Sequence, residues 1–368
     1  MEIKSYTIKE LKQTLSSNTF WTGNEVPISK HKIISHTYNP RADENDIVLI
    51  TASKNDNIIG YIGILPDKFF IDGHEQKFGW LTAWWVEPDE RKSRVGVSLL
   101  LKALQAFDNN IGTSDFTDHA KAVYDSSGLF ISLKELTEYK VFIRFITNEV
   151  LTNKFKALKP LKIIFKVCDR LLNLFVDFRL YLIRNAYSKK RQLKYEYISE
   201  IDNQTQEFIK SYRKNELIAR EKVELDWLTK YPWIINAPIN DKIAEKYKFL
   251  SVAKSFYYLK IKIFNDNSDM TGFIILRKRD KELTIPYFYF KPENIQDIIK
   301  VIIHHIGLLK VDVFFTKNEE LQSHLKDINF PYIYIKKNKK YTYLTKKFSS
   351  IDFSKYHLQD GDADISFT

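Results

Sequence analysis

Apolar and polar positions alternate along the first 145 residues in a way that predicts a mixed α/β domain. Two helical repeats come first, followed by two short apolar runs around the turn residues Asn55-Asp56-Asn57, which predict a β-hairpin. A third strand then leads into a strongly apolar helix, and a last helix contains Tyr124 and ends at Gly128. The predicted helices cover 8–16, 27–37 and 95–107, and the predicted strands cover 47–52, 58–65 and 79–86.

The same order of elements returns in the second half of the chain. Asn265-Asp266-Asn267 repeats the first turn, and Gly272-Phe273-Ile274 repeats the Gly60-Tyr61-Ile62 strand. A strand ending at Lys291-Pro292-Glu293 then runs into another apolar helix, as the earlier strand does at Glu87-Pro88. We interpret this as an internal duplication with a period of about 210 residues, which suits two copies of one domain.

Residues 151–200 differ in charge from the rest of the chain. They hold 12 Lys/Arg against 4 Asp/Glu, and apolar residues recur at helical spacing over 161–182, which predicts one long amphipathic helix. Two interpretations remain open: a helix that packs between domains with a solvated cationic face, or one that docks on an anionic membrane surface or on the phosphates of a ligand.

The composition excludes several functional classes. Cys168 is the only cysteine and the eight His are scattered, so neither a disulfide framework nor a metal site is expected. The amino end lacks the apolar stretch of a secretory signal, and charged residues interrupt the most apolar segment, so neither export nor a membrane span is expected. The net charge is +11, but no nucleic-acid-binding motif is present. A cytoplasmic protein that does not bind nucleic acid is predicted.

Candidate chemistry lies between the third strand and its helix. The strand ends at Pro88, a cationic turn follows, and the helix begins near Val95, so free backbone N–H groups and the positive end of the helix dipole converge. Such a turn suits a pyrophosphate, because Gly96 allows close approach to the backbone. The residues of this turn are Arg91, Lys92, Ser93, Arg94, Val95, Gly96, Val97 and Ser98.

Two motifs in this region resemble those of the GNAT acyltransferases. Arg91-x-x-Arg94-x-Gly96 is similar to the acyl-CoA pyrophosphate loop of that family, with Arg94 where a glycine is usual. The stretch from Thr117 to Gly128 is similar to the later GNAT helix, with Thr117 where an asparagine is common. The resemblance covers about residues 1–145 and implies an α/β fold with a mixed sheet and two tandem GNAT-like domains, the second degenerate.

The resemblance also implies roles for individual residues. The backbone of Trp84 and Val86 would pair with the pantetheine arm of acyl-CoA, the co-substrate, and the Tyr124 phenol would donate a proton to the departing thiolate. His119 and Glu87 are candidate general bases, and a water relay is the alternative to both. The cofactor-binding set comprises Trp84, Val86, the turn residues 91–98, Thr117 and Lys121, with no metal ligands.

The segment between the first two helices would line the acceptor site. Phe20 and Trp21 could stack on a base or a sugar, and Lys30 or His31 could contact a phosphate. The whole layout, an active first copy and a degenerate second copy with a basic helical insert, resembles tandem GNAT proteins that N-acylate nucleotide-linked amino sugars, dTDP-linked in the first instance, for surface polysaccharide synthesis. Acyl or aminoacyl transfer to a peptide or another small amine, and a non-catalytic membrane-surface adaptor, are the alternatives.

The expected organisation has four parts, and a homodimer is the expected assembly. The acidic carboxyl tail is expected to be solvated or to pair its charges. The parts are a catalytic domain at 1–145, a basic helical connector at 146–195, a degenerate GNAT-like domain at 196–348 and the tail at 349–368.

Overall fold

The computed structural model describes residues 1–17, 21, 25–189, 193–327 and 330–368. The chain forms two compact units, each assembled from separate stretches of sequence. Unit 1 comprises 1–135, 213–256 and 340–368, and unit 2 comprises 136–212 and 257–339.

Unit 1 contains an amino-terminal strand, two helices, a three-stranded meander and two strand–helix steps. Its sheet is antiparallel from β1 to β4, and β5 is parallel to β4. The elements are β1 (Glu2–Thr7), α1 (Ile8–Ser17), α2 (Lys30–Thr37), β2 (Ile47–Lys54), β3 (Asn57–Ile71), β4 (His74–Val86), α3 (Val95–Ala106), β5 (Ile111–Ser114) and α4 (Asp118–Ser127).

The next elements lead through unit 2 and back into unit 1. They are β6 (Phe130–Phe142), α5 (Thr147–Lys154), α6 (Lys162–Lys189), β7 (Lys194–Ile198), α7 (Asn203–Tyr212), α8 (Lys222–Lys230), β8 (Ile234–Asn236) and β9 (Ser251–Ala253).

The second repeat follows the order of the first. In unit 2, β10 pairs with β7, β11 pairs with β12, and β13 is parallel to β12. The elements are β10 (Phe256–Phe264), β11 (Met270–Arg279), β12 (Glu282–Phe290), α9 (Ile295–Leu308), β13 (Val313–Thr316), α10 (Glu319–Asp327) and β14 (Tyr334–Thr345).

The two sequence repeats and the two compact units divide the chain differently. Within unit 1, the strand beside β5 is β14, from the end of the second repeat, with Tyr343 opposite Thr113. Within unit 2, the strand beside β13 is β6, from the first repeat, with Val141 opposite Phe314. The last strand of each repeat therefore completes the sheet of the other unit, which apolar periodicity alone does not reveal.

Several predicted elements are confirmed, and of the two alternatives expected for the carboxyl tail the structure shows charge pairing rather than solvation. The helices predicted at 8–16 and 95–107 are α1 and α3, and the long basic helix is α6. The carboxyl tail, however, is packed rather than solvated. Phe367 is fully buried and stacks on Trp233 at 4.4 Å between ring centroids, and Asp362 is buried with Arg220 at 3.9 Å. The apolar residues near the end of the tail hold its acidic residues against unit 1.

The sheet of unit 1 has a separate core on each face. One core packs Val95 and Leu99 of α3 and Tyr124 of α4 against the strands. The other packs Leu11 of α1 and Ile33 of α2 against the opposite face. Alternate residues of β4 therefore contribute to different cores, which matters for the site described next.

Candidate functional site

An extra residue in β4 changes which side chains face each core. Tyr61 of β3 lies opposite Trp85, but Gly63 lies opposite Thr82, so two steps along β3 correspond to three along β4. Ala83 has φ of 46°, a left-handed conformation at this β-bulge. As a result, Trp84 packs beside α3 and α4, whereas Trp85 packs beside α1 and α2.

Beyond the bulge, β4 has an open edge. β5 pairs with β4 only from Gly79 to Leu81. The Glu87 amide donates to the Ile59 carbonyl of β3, so in this antiparallel pair the backbone groups of Trp84 and Val86 point away from β3. The edge of β4 beyond Leu81, which β5 does not cover, can therefore accept an extended chain such as a pantetheine arm.

The cationic turn lies at the end of this edge. Arg91, Lys92 and Arg94 are exposed, and none of the three forms an ion pair with the residues that the structure describes. Ser93 Oγ accepts a hydrogen bond from the Val95 amide at 3.3 Å and donates to the Glu90 carbonyl at 2.6 Å, which fixes the turn. The turn thus presents three available cations.

The first turn of α3 adds backbone donors. The Ser98 amide donates to the Arg94 carbonyl, whereas the Gly96 and Val97 amides have no hydrogen-bond acceptor in the described part of the chain. A Cβ on Gly96 would lie 3.5 Å from Trp84 and Val86, so this first turn borders the open edge. Free amides at a helix amino end beside unpaired cations form an anion-binding site.

Tyr124 is buried on α4, with only 2% of its surface exposed. Its ring lies 5.5 Å from that of Trp84 and 5.3 Å from that of Phe116, and its phenol is hydrogen-bonded to Thr113 of β5. Thr113 is the last β5 residue paired with β4, opposite Leu81, so the phenol lies where the two strands separate. Burial raises the pKa of Tyr124 to about 12, which keeps the phenol protonated and able to donate.

The other predicted residues on this side occupy the surface. His119 is exposed in the first turn of α4, and Glu87 is half-buried after β4. Thr117 caps α4, because its hydroxyl accepts a hydrogen bond from the Ala120 amide at 3.3 Å. Lys121 pairs with Asp125 at 2.7 Å, and this hydrogen bond raises the pKa of Lys121. Lys121 is therefore already engaged within α4.

Comparisons with known proteins agree with this geometry. Residues 12–128 match the Acetyltransferase (GNAT) family. The chain carries a GNAT acyltransferase domain. It is an acyl-CoA-dependent transferase, with acyl-CoA as co-substrate. No curated protein matches the chain by sequence.

Solved structures share the fold over nearly the whole chain. A probable N-acyltransferase from Enterococcus faecalis superposes with a TM-score of 0.51 at 9% identity, covering 93% of this chain and 72% of that one. A GCN5-related N-acetyltransferase from Anabaena variabilis gives 0.50 at 9% identity, with the same coverages. A Saccharomyces cerevisiae N-myristoyltransferase with bound myristoyl-CoA gives 0.50 at 11%, covering 94% and 78%. At these identities the likeness concerns the fold, which extends through both repeats of this chain.

The predicted acceptor residues of the GNAT domain lie in different environments. Phe20 lies outside the described residues. Trp21 is buried in the core, with its indole nitrogen donating to the Ile28 carbonyl at 3.1 Å, and Lys30 lies 5.0 Å above its ring. His31 lines a cavity of about 300 Å³ together with Lys230 and Tyr231.

Sequence reasoning missed the most unusual residue of α2, which is Lys32. Its side chain faces inward and is only 6% exposed, and its ammonium lies 4.1 Å above the Trp233 ring and 5.7 Å from the centre of the Tyr247 ring. Burial lowers the pKa of Lys32 to about 8, against an opposing effect of Asp364. No ion pair of Lys32 is formed with the described residues. The sequence feature that could have revealed the burial of Lys32 is a lysine on the apolar face of a predicted helix.

The side chains around Lys32 hold further unsatisfied polar groups. The Trp233 Nε1, the Tyr247 hydroxyl and the His36 Nδ1 are buried and have no hydrogen-bond partner among the described residues. Burial, together with Lys32, lowers the pKa of His36 to about 3, so its imidazole is neutral. Buried polar groups are usually paired, so this lysine cluster (Lys32, His36, Trp233 and Tyr247) is suited to a ligand that supplies acceptor atoms.

Ring contacts connect the lysine cluster to β4. Tyr247 lies 6.3 Å from Tyr61, and Tyr61 lies 5.3 Å from Trp85, measured between ring centroids. Trp85 and Trp84 are neighbours on the open edge, on opposite faces of the sheet. The lysine cluster and the Tyr124 side of the GNAT domain therefore approach the same segment of β4 from its two faces.

Proposed function

We propose that this GNAT protein transfers an acyl group from acyl-CoA to the primary amine of a nucleotide-linked amino sugar, dTDP-linked in the first instance. Such an acceptor suits surface polysaccharide synthesis in the cytoplasm, and we expect a homodimer. The observation that carries the acceptor class is the buried lysine cluster, because an ammonium and several unpartnered donors suit an anionic group such as a diphosphate.

In this proposal, the residues of the GNAT domain divide the work of acyl-CoA binding. Arg91, Lys92 and Arg94, with the free amides of Gly96 and Val97, hold the pyrophosphate, and the backbone of Trp84 and Val86 pairs with the pantetheine arm. Placing the thioester at the open edge of β4 brings its carbonyl near a strand N–H that can stabilise an oxyanion.

The chemical step is attack of the neutral amine nitrogen on the thioester carbonyl. A C–N bond forms as the C–S bond breaks, the amine loses a proton, and the Tyr124 phenol donates its proton to the departing thiolate. His119 and Glu87 are both exposed enough to exchange protons with solvent. Their positions are therefore compatible with either residue accepting the amine proton through a bridging water. The second domain would support the first or contribute to the dimer.

The test is calorimetric titration with coenzyme A, followed by product analysis by mass spectrometry. Micromolar affinity for coenzyme A, about −8 kcal/mol, is expected. With acetyl-CoA, a dTDP-linked amino sugar should be acylated far faster than the free amino sugar or an amino acid. Equal rates on the free sugar would contradict the nucleotide-linked acceptor, and no heat with coenzyme A from folded protein would favour the non-catalytic adaptor.

A further inference from the structure

Helix α6 of unit 2 has one face held by the protein and an opposite face that is apolar and exposed. The apolar face consists of residues that lie within an arc of about 120°, at about 100° per residue. Phe175 is 76% exposed and Ile163 is 75% exposed, and four other members are more than half exposed. The face comprises Ile163, Val167, Leu171, Leu174, Phe175 and Phe178.

The exposure does not come from a detached helix. On the opposite side, Asp169 accepts hydrogen bonds from the amides of Thr147 and Asn148 at 3.1 and 2.8 Å. Leu180 is 4% exposed in the core of unit 2, and Asp177, on the flank between the two sides, pairs with Arg144. Unit 2 therefore fixes the direction in which the apolar face points.

Cations border this face on both sides. Projection around the helix places Lys166 and Arg170 along one edge and Arg179 along the other. None of the three forms an ion pair with the described residues, and the only two acidic residues of α6 are Asp169 and Asp177, both engaged as described above. The free charge around the apolar face is thus positive only.

The segment before α6 has the same character. Val150, Phe155 and Leu161 are exposed apolar residues, and the intervening cations include Lys156 and Lys159. An exposed apolar surface of this extent indicates an interaction site. Within the part of the chain that the structure describes, none of the helices combines the length and the hydropathy that a bilayer span requires.

We infer that α6 docks in the plane of an anionic membrane surface, with its apolar face among the acyl chains and its bordering cations on the lipid phosphates. Charge complementarity selects this occupant over a second copy of the chain. Two copies of α6 placed face to face would bring cations together without acidic partners, whereas an anionic lipid surface supplies the missing counter-charge. The inference does not depend on the acyl acceptor.

The single cysteine gives a direct test. Cys168 is exposed beside the apolar face, so the full chain can be labelled there with an environment-sensitive fluorophore. With vesicles of equal phosphatidylglycerol and phosphatidylcholine, we expect a blue shift and flotation with the vesicles. Binding should fall at least tenfold on pure phosphatidylcholine and weaken as salt is raised.

Variants separate the apolar and the cationic contributions. Phe175→Ser with Phe178→Ser should reduce vesicle binding at least tenfold, and Arg170→Gln with Arg179→Gln should reduce it about fivefold per cation. The matched control is Leu101→Ser with Val223→Ser, two exposed apolar residues of unit 1, which should bind as the unchanged protein does. Circular dichroism verifies that each variant is folded.

Three results would overturn the inference. The first is no vesicle binding by the labelled protein at low salt. The second is unchanged binding by the Phe175→Ser, Phe178→Ser variant. The third is a protein that sediments as a dimer, does not bind vesicles, and sediments as a monomer when it carries Phe175→Ser and Phe178→Ser. That result would assign the apolar face to self-association.

Discussion

The two strand–helix junctions of the repeats differ in a few residues, and of the two it is the first that presents three exposed cations. Both strands end before a proline and a short 3-10 turn, at Pro88–Glu90 and Pro292–Asn294. In the first repeat, four residues with three cations separate this turn from α3. In the second repeat, α9 begins directly at Ile295, so the cationic turn has no counterpart.

The side chains around the two junctions also differ in their burial and in the residue at the position of Tyr124. Residues 83–87 of the first repeat are only half-buried, whereas Phe288 and Phe290 of the second are nearly fully buried in the core of unit 2. Counting from the caps Thr117 and Asn318, each of which accepts from the amide three residues on, the position of Tyr124 is taken by Leu325. The second repeat keeps the scaffold and lacks both the cationic turn and the phenol.

Removing the phenol should have the largest effect. Tyr124→Phe makes the first repeat resemble the second at this position, and kcat should fall about 10²- to 10⁴-fold because the thiolate loses its proton donor. Affinity for coenzyme A, measured by calorimetry, should change little. Equal loss of kcat and of coenzyme A affinity would contradict the role of Tyr124 as an acid.

A neighbouring phenol supplies the control for this variant. Tyr343 belongs to the same core, and its hydroxyl donates to Asp125 at 2.6 Å. Tyr343→Phe should leave kcat within a few-fold of the unchanged protein. A similar fall in both variants would indicate that packing, not proton donation, is responsible.

Removing the cations of the turn should have the next largest effect. Arg91→Ala and Arg94→Ala should each weaken coenzyme A binding about tenfold or more, because each removes a charge-assisted phosphate contact. The control in the second repeat is Lys291→Ala, a cation beside the turn before α9, which should leave the affinity unchanged. Calorimetry gives the coenzyme A dissociation constants. If they do not change in the Arg variants, Arg91 and Arg94 do not hold the pyrophosphate.

Local patterns predicted the elements of the first junction well, because strand, cationic turn and helix lie together in sequence. That Arg91, Lys92 and Arg94 hold a phosphate stays a prediction. Local patterns did not predict the exchange of β6 and β14 between units, since apolar periodicity carries no information about which strands pair. Lys32 was missed for a related reason. Its burial results from Trp233 and Tyr247, which are about 200 residues away in sequence.

The acceptor side has a pH-dependent prediction. Because burial lowers the pKa of Lys32 to about 8, the ammonium is charged below that pH and loses its charge as the pH rises through it. Binding of dTDP-glucose, which has no amine to titrate, should therefore weaken above about pH 8. His36 contributes no charge there, since its pKa is about 3.

Lys32→Met should bind dTDP-glucose about tenfold more weakly at pH 7 and show no dependence between pH 7 and 9. Calorimetry at each pH gives the dissociation constants, and coenzyme A affinity serves as the control for intact folding. If the dissociation constant of dTDP-glucose for the unchanged protein does not vary between pH 7 and 9, Lys32 does not take part in acceptor binding.

The smallest effect concerns a pair of glycines at equivalent positions in the repeats. A Cβ on Gly60 would lie 3.0 Å from Val95 Cγ1 and 3.2 Å from the Trp85 carbonyl oxygen, and a Cβ on Gly272 would lie within 2.2 Å of Ile298 Cδ1. Both contacts are too close, so Gly60→Ala and Gly272→Ala should each lower the free energy of unfolding by about 1–3 kcal/mol, measured by urea denaturation.

The two changes differ in what the displaced helix carries. Displacing Val95 moves the first turn of α3 and the amides of its anion site, so Gly60→Ala should also weaken coenzyme A binding about threefold, which is about 0.7 kcal/mol. Gly272→Ala displaces α9, which has no such site, and should leave that affinity unchanged; equal weakening by both would mean that the two junctions are not functionally distinct.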